Sequence, residues 1–250
     1  MSRSKSLKIA FDPVYILPLP EGHRFPMIKY ELIPEQLVYE GTIKPGQLIS
    51  PAPCPDEVIL WTHDKSYLDK LHHLSLSARE QRQIGFPQSP ELVYRELMIT
   101  QGTINCCYYA FENGVAINVA GGTHHAFADH GEGFCVLNDF AVAANYLLQK
   151  KLARQILIID LDVHQGNGTA RLFENTTCVF TFSMHGDHNY PFHKEKSDLD
   201  IALKDGTGDA DYLALLENTL HSLLPRLRPD FVFYLSAWIF WIQTGLANLI

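Results

Sequence analysis

The chain has 250 residues, 46% of them hydrophobic and 19% charged, and 20 Lys and Arg against 28 Asp and Glu give a net charge of −8. This composition excludes collagen-like, low-complexity and disordered chains, and the charge has the wrong sign for direct nucleic-acid binding or for coating an anionic membrane. No apolar run approaches the ~20 residues of a membrane span, Asp12 and Pro13 cut off any signal-peptide core, and five cysteines without a Cys-x-x-Cys pair suggest a cytoplasmic protein with free thiols. Residues 7–11 read as a short strand, and residues 18–26, with Pro18, Pro20, Gly22 and Pro26, as a loop. A helix is expected after Pro34, a loop from Pro45 to Pro55, a short buried strand over 58–61 and a helix over 66–74. Pro90 suits the first turn of a long helix reaching about Phe111, with Gly114 to end it. Residues 115–119 are apolar apart from Asn118, and Gly121-Gly122 breaks the run. Asn138 and Asp139 can cap a helix with Ala141, Ala144, Leu147 and Leu148 on one side. Residues 156–159, 179–182 and 231–235 are β-prone runs apolar on both faces, as in a sheet covered on each side. Asp209 can cap a helix with Leu213, Leu216, Leu220, Leu223 and Leu224 on one stripe, ended by Pro225. The alternation predicts an α/β fold, a doubly wound, mostly parallel sheet with helices on both faces.

Two clusters carry the chemistry. In Asp160-x-Asp162-x-His164, at the end of an apolar run, strand alternation can turn all three side chains to one side. Ligands of open α/β sheets bind beyond the carboxyl ends of strands, and two carboxylates with an imidazole suit zinc or a similar divalent ion. A solvated strand end with incidental acids is the bland alternative. An Asp-x-Asp phosphotransfer site with Asp160 as nucleophile is another, although it leaves His164 unexplained. The second cluster is Gly121-Gly122-Thr123-His124-His125, followed by Gly133-Phe134-Cys135. On an irregular glycine-rich segment both imidazoles can reach one cavity, one as general base on a water, the other as proton donor. Alone, such a pair is more often incidental, as His72-His73 on a probable helix illustrates. The glycine setting and the downstream acids raise its standing. His185, His188 and His193 read as a polar loop, and Cys106-Cys107 as helix core.

Gly121-Gly122-x-His124-His125, Gly133-Phe134-Cys135, Asn138-Asp139 and Asp160-x-Asp162-x-His164-x-Gly166, with Gly22-His23-Arg24-Phe25-Pro26-Met27 upstream, together resemble the histone deacetylase superfamily. That group includes acetylpolyamine amidohydrolases and acetoin-utilisation proteins. Asn167, where many members have Asp, makes the chain most similar to the class IV-like bacterial branch. The resemblance implies an arginase/deacetylase-like fold and a zinc-dependent amide hydrolase acting on acylated lysine or polyamine. It implies Asp162 and His164 as zinc ligands, and His124 and His125 as the paired acid/base residues. Asp160 would orient His124, and Asn167 would orient His125 without a charge. Gly133 and Phe134 would line the substrate tube, with Tyr190 as its opposite wall. Asp160, Asp162, His164, Ser183 and the Met184 carbonyl match a structural potassium site.

The chain departs from that pattern after Ser236. The family's third zinc ligand belongs to a Gly-Val-Asp type segment, but here Ala237-Trp238-Ile239-Phe240-Trp241-Ile242 follows, and no Asp or Glu occurs after Asp230. The transition-state tyrosine of a later Gly-Gly-Tyr segment has no match. The expected organisation is an incomplete, C-terminally truncated deacetylase-like domain over 1–236, with 237–250 an aberrant apolar tail. Restoring one base turns the codons of 237–242 into Gly-Val-Asp-x-Leu-Asp, which reads as a frameshift. The resulting alternatives to a working deacylase are an inactive truncated product and a non-catalytic acyl-lysine binder.

Overall fold

The computed structural model describes residues 6–236; the sequence readings of 237–250 lie outside the described residues. The chain falls into two compact units divided between Tyr146 and Leu147.

In the first unit the elements are β1 (Lys8–Ala10), α1 (Lys29–Tyr39), β2 (Leu48–Ile49), α2 (Asp56–Ile59), α3 (Lys65–His72), α4 (Ala78–Ile84), α5 (Pro90–Asn113) and β3 (Ala116–Asn118). The strands form a parallel sheet in the order β2-β1-β3, with Ile9 opposite both Leu48 and Ile117. The long helix α5 packs on β1 and β3. Its boundaries follow from its ends: the Ser89 side chain accepts the Leu92 N–H, Pro90 occupies the first turn, and Gly114 ends the helix with φ 94°. Cys106 and Cys107 are buried in it, and burial pushes both thiols up.

Three local expectations change here. Residues 58–61 are not a strand: Val58 and Ile59 are buried in helix α2, which begins at Pro55 with Asp56 and Glu57 in its first turn. Four apolar residues carry no period that separates strand from helix, and acids favour a helix N-terminus. Helix α1 contains Pro34 instead of following it, and α4 was not anticipated.

The second unit takes up within α6 (Asp139–Gln149) and continues with β4 (Ile156–Asp160), α7 (Asn167–Phe173), β5 (Val179–Gly186), β6 (Leu199–Leu203), α8 (Asp209–Leu227) and β7 (Phe231–Leu235). Its four strands are all parallel, in the order β6-β5-β4-β7. The period of two sorts the central strands. Leu157, Ile159, Phe182 and Met184 pack with Leu223 of α8, whereas Ile158, Asp160, Thr181 and Ser183 line a small space with Thr169 and Ala170 of α7. The central strands β4 and β5 are thus covered on both faces, as expected, whereas Val232 and Tyr234 of β7 are exposed. Helix α8 runs through Pro225 to Leu227, two residues past the expected stop. From β4 the chain moves outward through β5 and β6, then returns so that β7 lies on the other side of β4. This reversal makes the carboxyl end of β4 a topological switch point, where open α/β sheets bind ligands.

Candidate active site

Each unit holds one cluster. In the first, His124 and His125 sit on the segment between β3 and α6, both nearly buried, with ring centroids 4.1 Å apart and planes tilted by 46°. Asp139, at the start of α6, fixes this segment. Its carboxylate accepts the backbone N–H groups of Gly122 (2.9 Å) and Thr123 (2.8 Å) and the hydroxyls of Thr123 (2.7 Å) and Thr103 (2.5 Å). Position 121 must be glycine for that approach, since a Cβ there would stand 2.7 Å from Asp139 Oδ2. Asn138 closes the other end: its amide donates to the Ala126 carbonyl (3.2 Å), and its Oδ1 accepts the Ala141 N–H (3.0 Å) as the cap of α6. The Asn138 backbone N–H donates to His63 Nε2 at 3.0 Å. Burial pushes His63 down to about 4, so its ring is neutral and able to accept.

Gly133 and Phe134 are held by the last turn of α4: their N–H groups donate to the carbonyls of Gln83 (3.0 Å) and Ile84 (2.7 Å). These are helix-end acceptors that lack intrahelical partners. The half-buried Phe134 ring packs on Phe25 (5.1 Å) and Phe86 (5.3 Å), with the Arg24 guanidinium 5.0 Å from its centroid. Beneath this shelf the buried Arg95 stacks on Tyr30 at 5.2 Å and donates from Nε to the Tyr15 carbonyl at 2.7 Å.

In the second unit β4 ends at Asp160, so the strand alternation expected through His164 stops there. A staircase of local hydrogen bonds replaces it. Asp160 Oδ1 accepts the Asp162 N–H (3.1 Å), and Asp162 Oδ1 accepts the His164 N–H (2.7 Å). Such Asx-type bonds turn the backbone sharply. They bring His164 Nδ1 to 2.9 Å from Asp162 Oδ1, with both residues buried. Tyr190 stands edge-on to the His164 ring, with centroids 6.1 Å apart. Asn167 opens α7 and is buried. Asp160 lies opposite Ser183 across β4 and β5, beside a cavity of ≈ 10 Å³ lined also by Thr169, Thr181 and Ser197. His185 is not in a loop: it is buried on β5, its Nδ1 3.0 Å from Ser183 Oγ, and burial lowers its pKa. His188 and His193 are exposed.

The donor chemistry suits zinc in part. Two corners of a zinc tetrahedron lie about 3.3 Å apart for bonds of ~2.0 Å, and Asp162 Oδ1 and His164 Nδ1 are already 2.9 Å apart. Among the described residues no three His, Cys, Asp or Glu side chains group as a metal site. From the sequence Asp139 reads only as part of a helix cap. A carboxylate next to Asn138 at a helix start gives no sign that its acceptors will be filled by a loop 16 residues upstream.

Comparison with known proteins places this geometry. The profile of the histone deacetylase domain matches residues 23–236. An uncharacterized protein of Picosynechococcus sp. is 45% identical over 227 residues, which are 90% of this chain and 75% of that protein. Histone deacetylase 2 of Arabidopsis thaliana is 27% identical over 221 residues, covering 85% of this chain and 57% of its own length. Among solved structures, a histone deacetylase homologue from Aquifex aeolicus superposes with a TM-score of 0.80 at 25% identity, over 92% of this chain and 68% of its own.

Proposed function

Because the chain belongs to the histone deacetylase family, we propose that it is a zinc-dependent deacylase that hydrolyses the amide of an acylated lysine or a similar acylated amine, such as an acetylpolyamine. The observation that carries this reading is the donor pair of Asp162 and His164, set at the carboxyl end of the strand where the sheet order reverses. These two residues would hold the zinc. When bound, zinc would polarise the acyl carbonyl and acidify a water molecule. The chain's own groups supply the rest. His125 takes the proton of the attacking water, and His124 gives one to the departing amine. By the family resemblance, Asp160 would orient His124 and Asn167 would orient His125, and each would fix which ring nitrogen carries the proton. The neutral Asn167 leaves His125 a weaker base than an aspartate would. Gly133, Phe134 and Tyr190 line the tube for the acyl-bearing arm. Potassium would be held by Asp160, Asp162, His164, Ser183 and the Met184 carbonyl, a placement supported by the pairing of Asp160 with Ser183. No helix among the described residues is long and apolar enough to cross a membrane.

The test is zinc content together with turnover of an acetyl-lysine peptide and of acetylputrescine by the full chain. Asp162→Ala should lose zinc on dialysis. His125→Ala should keep the metal and lose turnover by about 10²-fold or more. Near-normal turnover by His125→Ala would remove the assigned role. A second reading is a non-catalytic binder of acyl-lysine. It requires peptide binding without hydrolysis.

A further inference from the structure

The segment from Asp187 to Lys194 contains neither helix nor strand, yet it is tied at both ends to residues flanking His164, the Val163 backbone and the Gln165 side chain. At its start, the Gly186 N–H donates to the Val163 carbonyl at 2.9 Å. At its end, the Glu195 N–H donates to Gln165 Oε1 (2.8 Å), and Gln165 Nε2 donates back to the Glu195 carbonyl (2.7 Å). Buried Asn189 folds over Gly186, where any Cβ would stand 2.2 Å from Asn189 Nδ2. Between these anchors the Lys194 ammonium donates to three backbone carbonyls: Asp187 (3.2 Å), Asn189 (2.6 Å) and Pro191 (2.6 Å). An ammonium has three N–H donors and no acceptor, so the three oxygens match its full capacity. They lie on both sides of Tyr190, whose ring stands edge-on to His164.

We infer that Lys194 is a positioning residue for substrate binding: its ammonium gathers the loop carbonyls around Tyr190 and presets that ring as a wall beside His164. The inference rests on the deacylase reading above. Gathering three carbonyls costs backbone entropy, and Lys194 meets that cost before substrate arrives, so that less of the binding energy goes into ordering the wall. Charge alone does not do this. A guanidinium presents its donors in a planar fork, which does not converge on three oxygens as an ammonium does.

The test compares the wild-type chain with Lys194→Met and Lys194→Arg. Backbone hydrogen exchange at residues 187–194 should quicken about 10-fold in both variants, with the β4 and β5 amides unchanged. Affinity for a fluorescent acetyl-lysine peptide should weaken about 5- to 10-fold, with KM rising to match and kcat within about twofold. If the Lys194 variants do not fold, Tyr190→Leu must give the same rise in KM. Unchanged exchange, unchanged affinity, a fall in kcat at constant KM, or full rescue by Arg would overturn the inference. Intact wild-type binding with an unaltered Lys194→Met affinity would sink it alone. A wild-type chain that neither binds nor hydrolyses the peptide would sink the deacylase reading, and this inference with it.

Discussion

Asp139 organises the histidine pair without belonging to it. Its buried carboxylate is the common acceptor for two backbone N–H groups and two hydroxyls. Asp139→Ala would strand those donors in a dry setting, where each unsatisfied group costs roughly 1–3 kcal/mol. We expect a loss of about 3 kcal/mol or more in urea unfolding, and Asp139→Asn should recover part of it. Equal stability of Asp139→Ala and wild type would refute the clamp. His63 gives a pH signature. Its pKa falls from 6.5 unfolded to about 4 folded, so the stability tied to its neutral form is complete above 6.5 and drains away as pH drops towards 4. About 3 kcal/mol is at stake. Urea midpoints from pH 7 to 4 should fall for wild type, and fall less for His63→Asn. Single residues were legible in the sequence where their chemistry is local, as in Asp162 and His164. They were not where a partner comes from afar: nothing around Asp139 marks it as the acceptor for the Gly122 and Thr123 N–H groups.

At the scale of elements, the strands that position the site were readable from their apolar runs, largely buried on both faces in β4 and β5 although Val232 and Tyr234 of β7 are exposed. β4, β5 and β7 are continuous apolar runs, and α5 announces itself through Ser89, Pro90 and Gly114. The misread α2 is too short to show a period. β6 was overlooked although Leu199, Ile201 and Leu203 alternate with polar or small residues, because Asp198 and Asp200 mask the run. α4 had a signal that went unused: Ser77-x-x-Glu80 is a capping box, with Ser77 Oγ accepting the Glu80 N–H and Glu80 accepting the Ser77 N–H. The cap matters for the site because α4 ends at the carbonyls that hold Gly133 and Phe134. Ser77→Ala should cost about 1 kcal/mol in chemical denaturation, and a change within experimental error would show that tertiary packing alone holds α4.

Across the whole chain, the fold is legible as an alternation of strand and helix runs. On the second unit, Leu213, Leu215 and Leu224 of α8 and Val232 and Tyr234 of β7 are exposed, and among the described residues β7 pairs only with β4. Clustered exposed apolar side chains invite association with other chains. The full chain should therefore associate with rising concentration in sedimentation velocity, and Val232→Lys with Tyr234→Lys should suppress it. If the double variant self-associates as strongly as wild type, other surfaces are responsible. The strand order also has a consequence for biosynthesis. β7 is the neighbour of β4 in space, but the ribosome delivers it about 70 residues later, some 4–14 s at ordinary translation speed. Throughout that interval the nascent chain carries the Ile156–Asp160 segment with one flank uncovered, its most apolar stretch presented to whatever is nearby. A holdase chaperone that grips emerging apolar segments should crosslink there in ribosome-stalled chains that end before Phe231, and release it once Leu235 has cleared the exit tunnel.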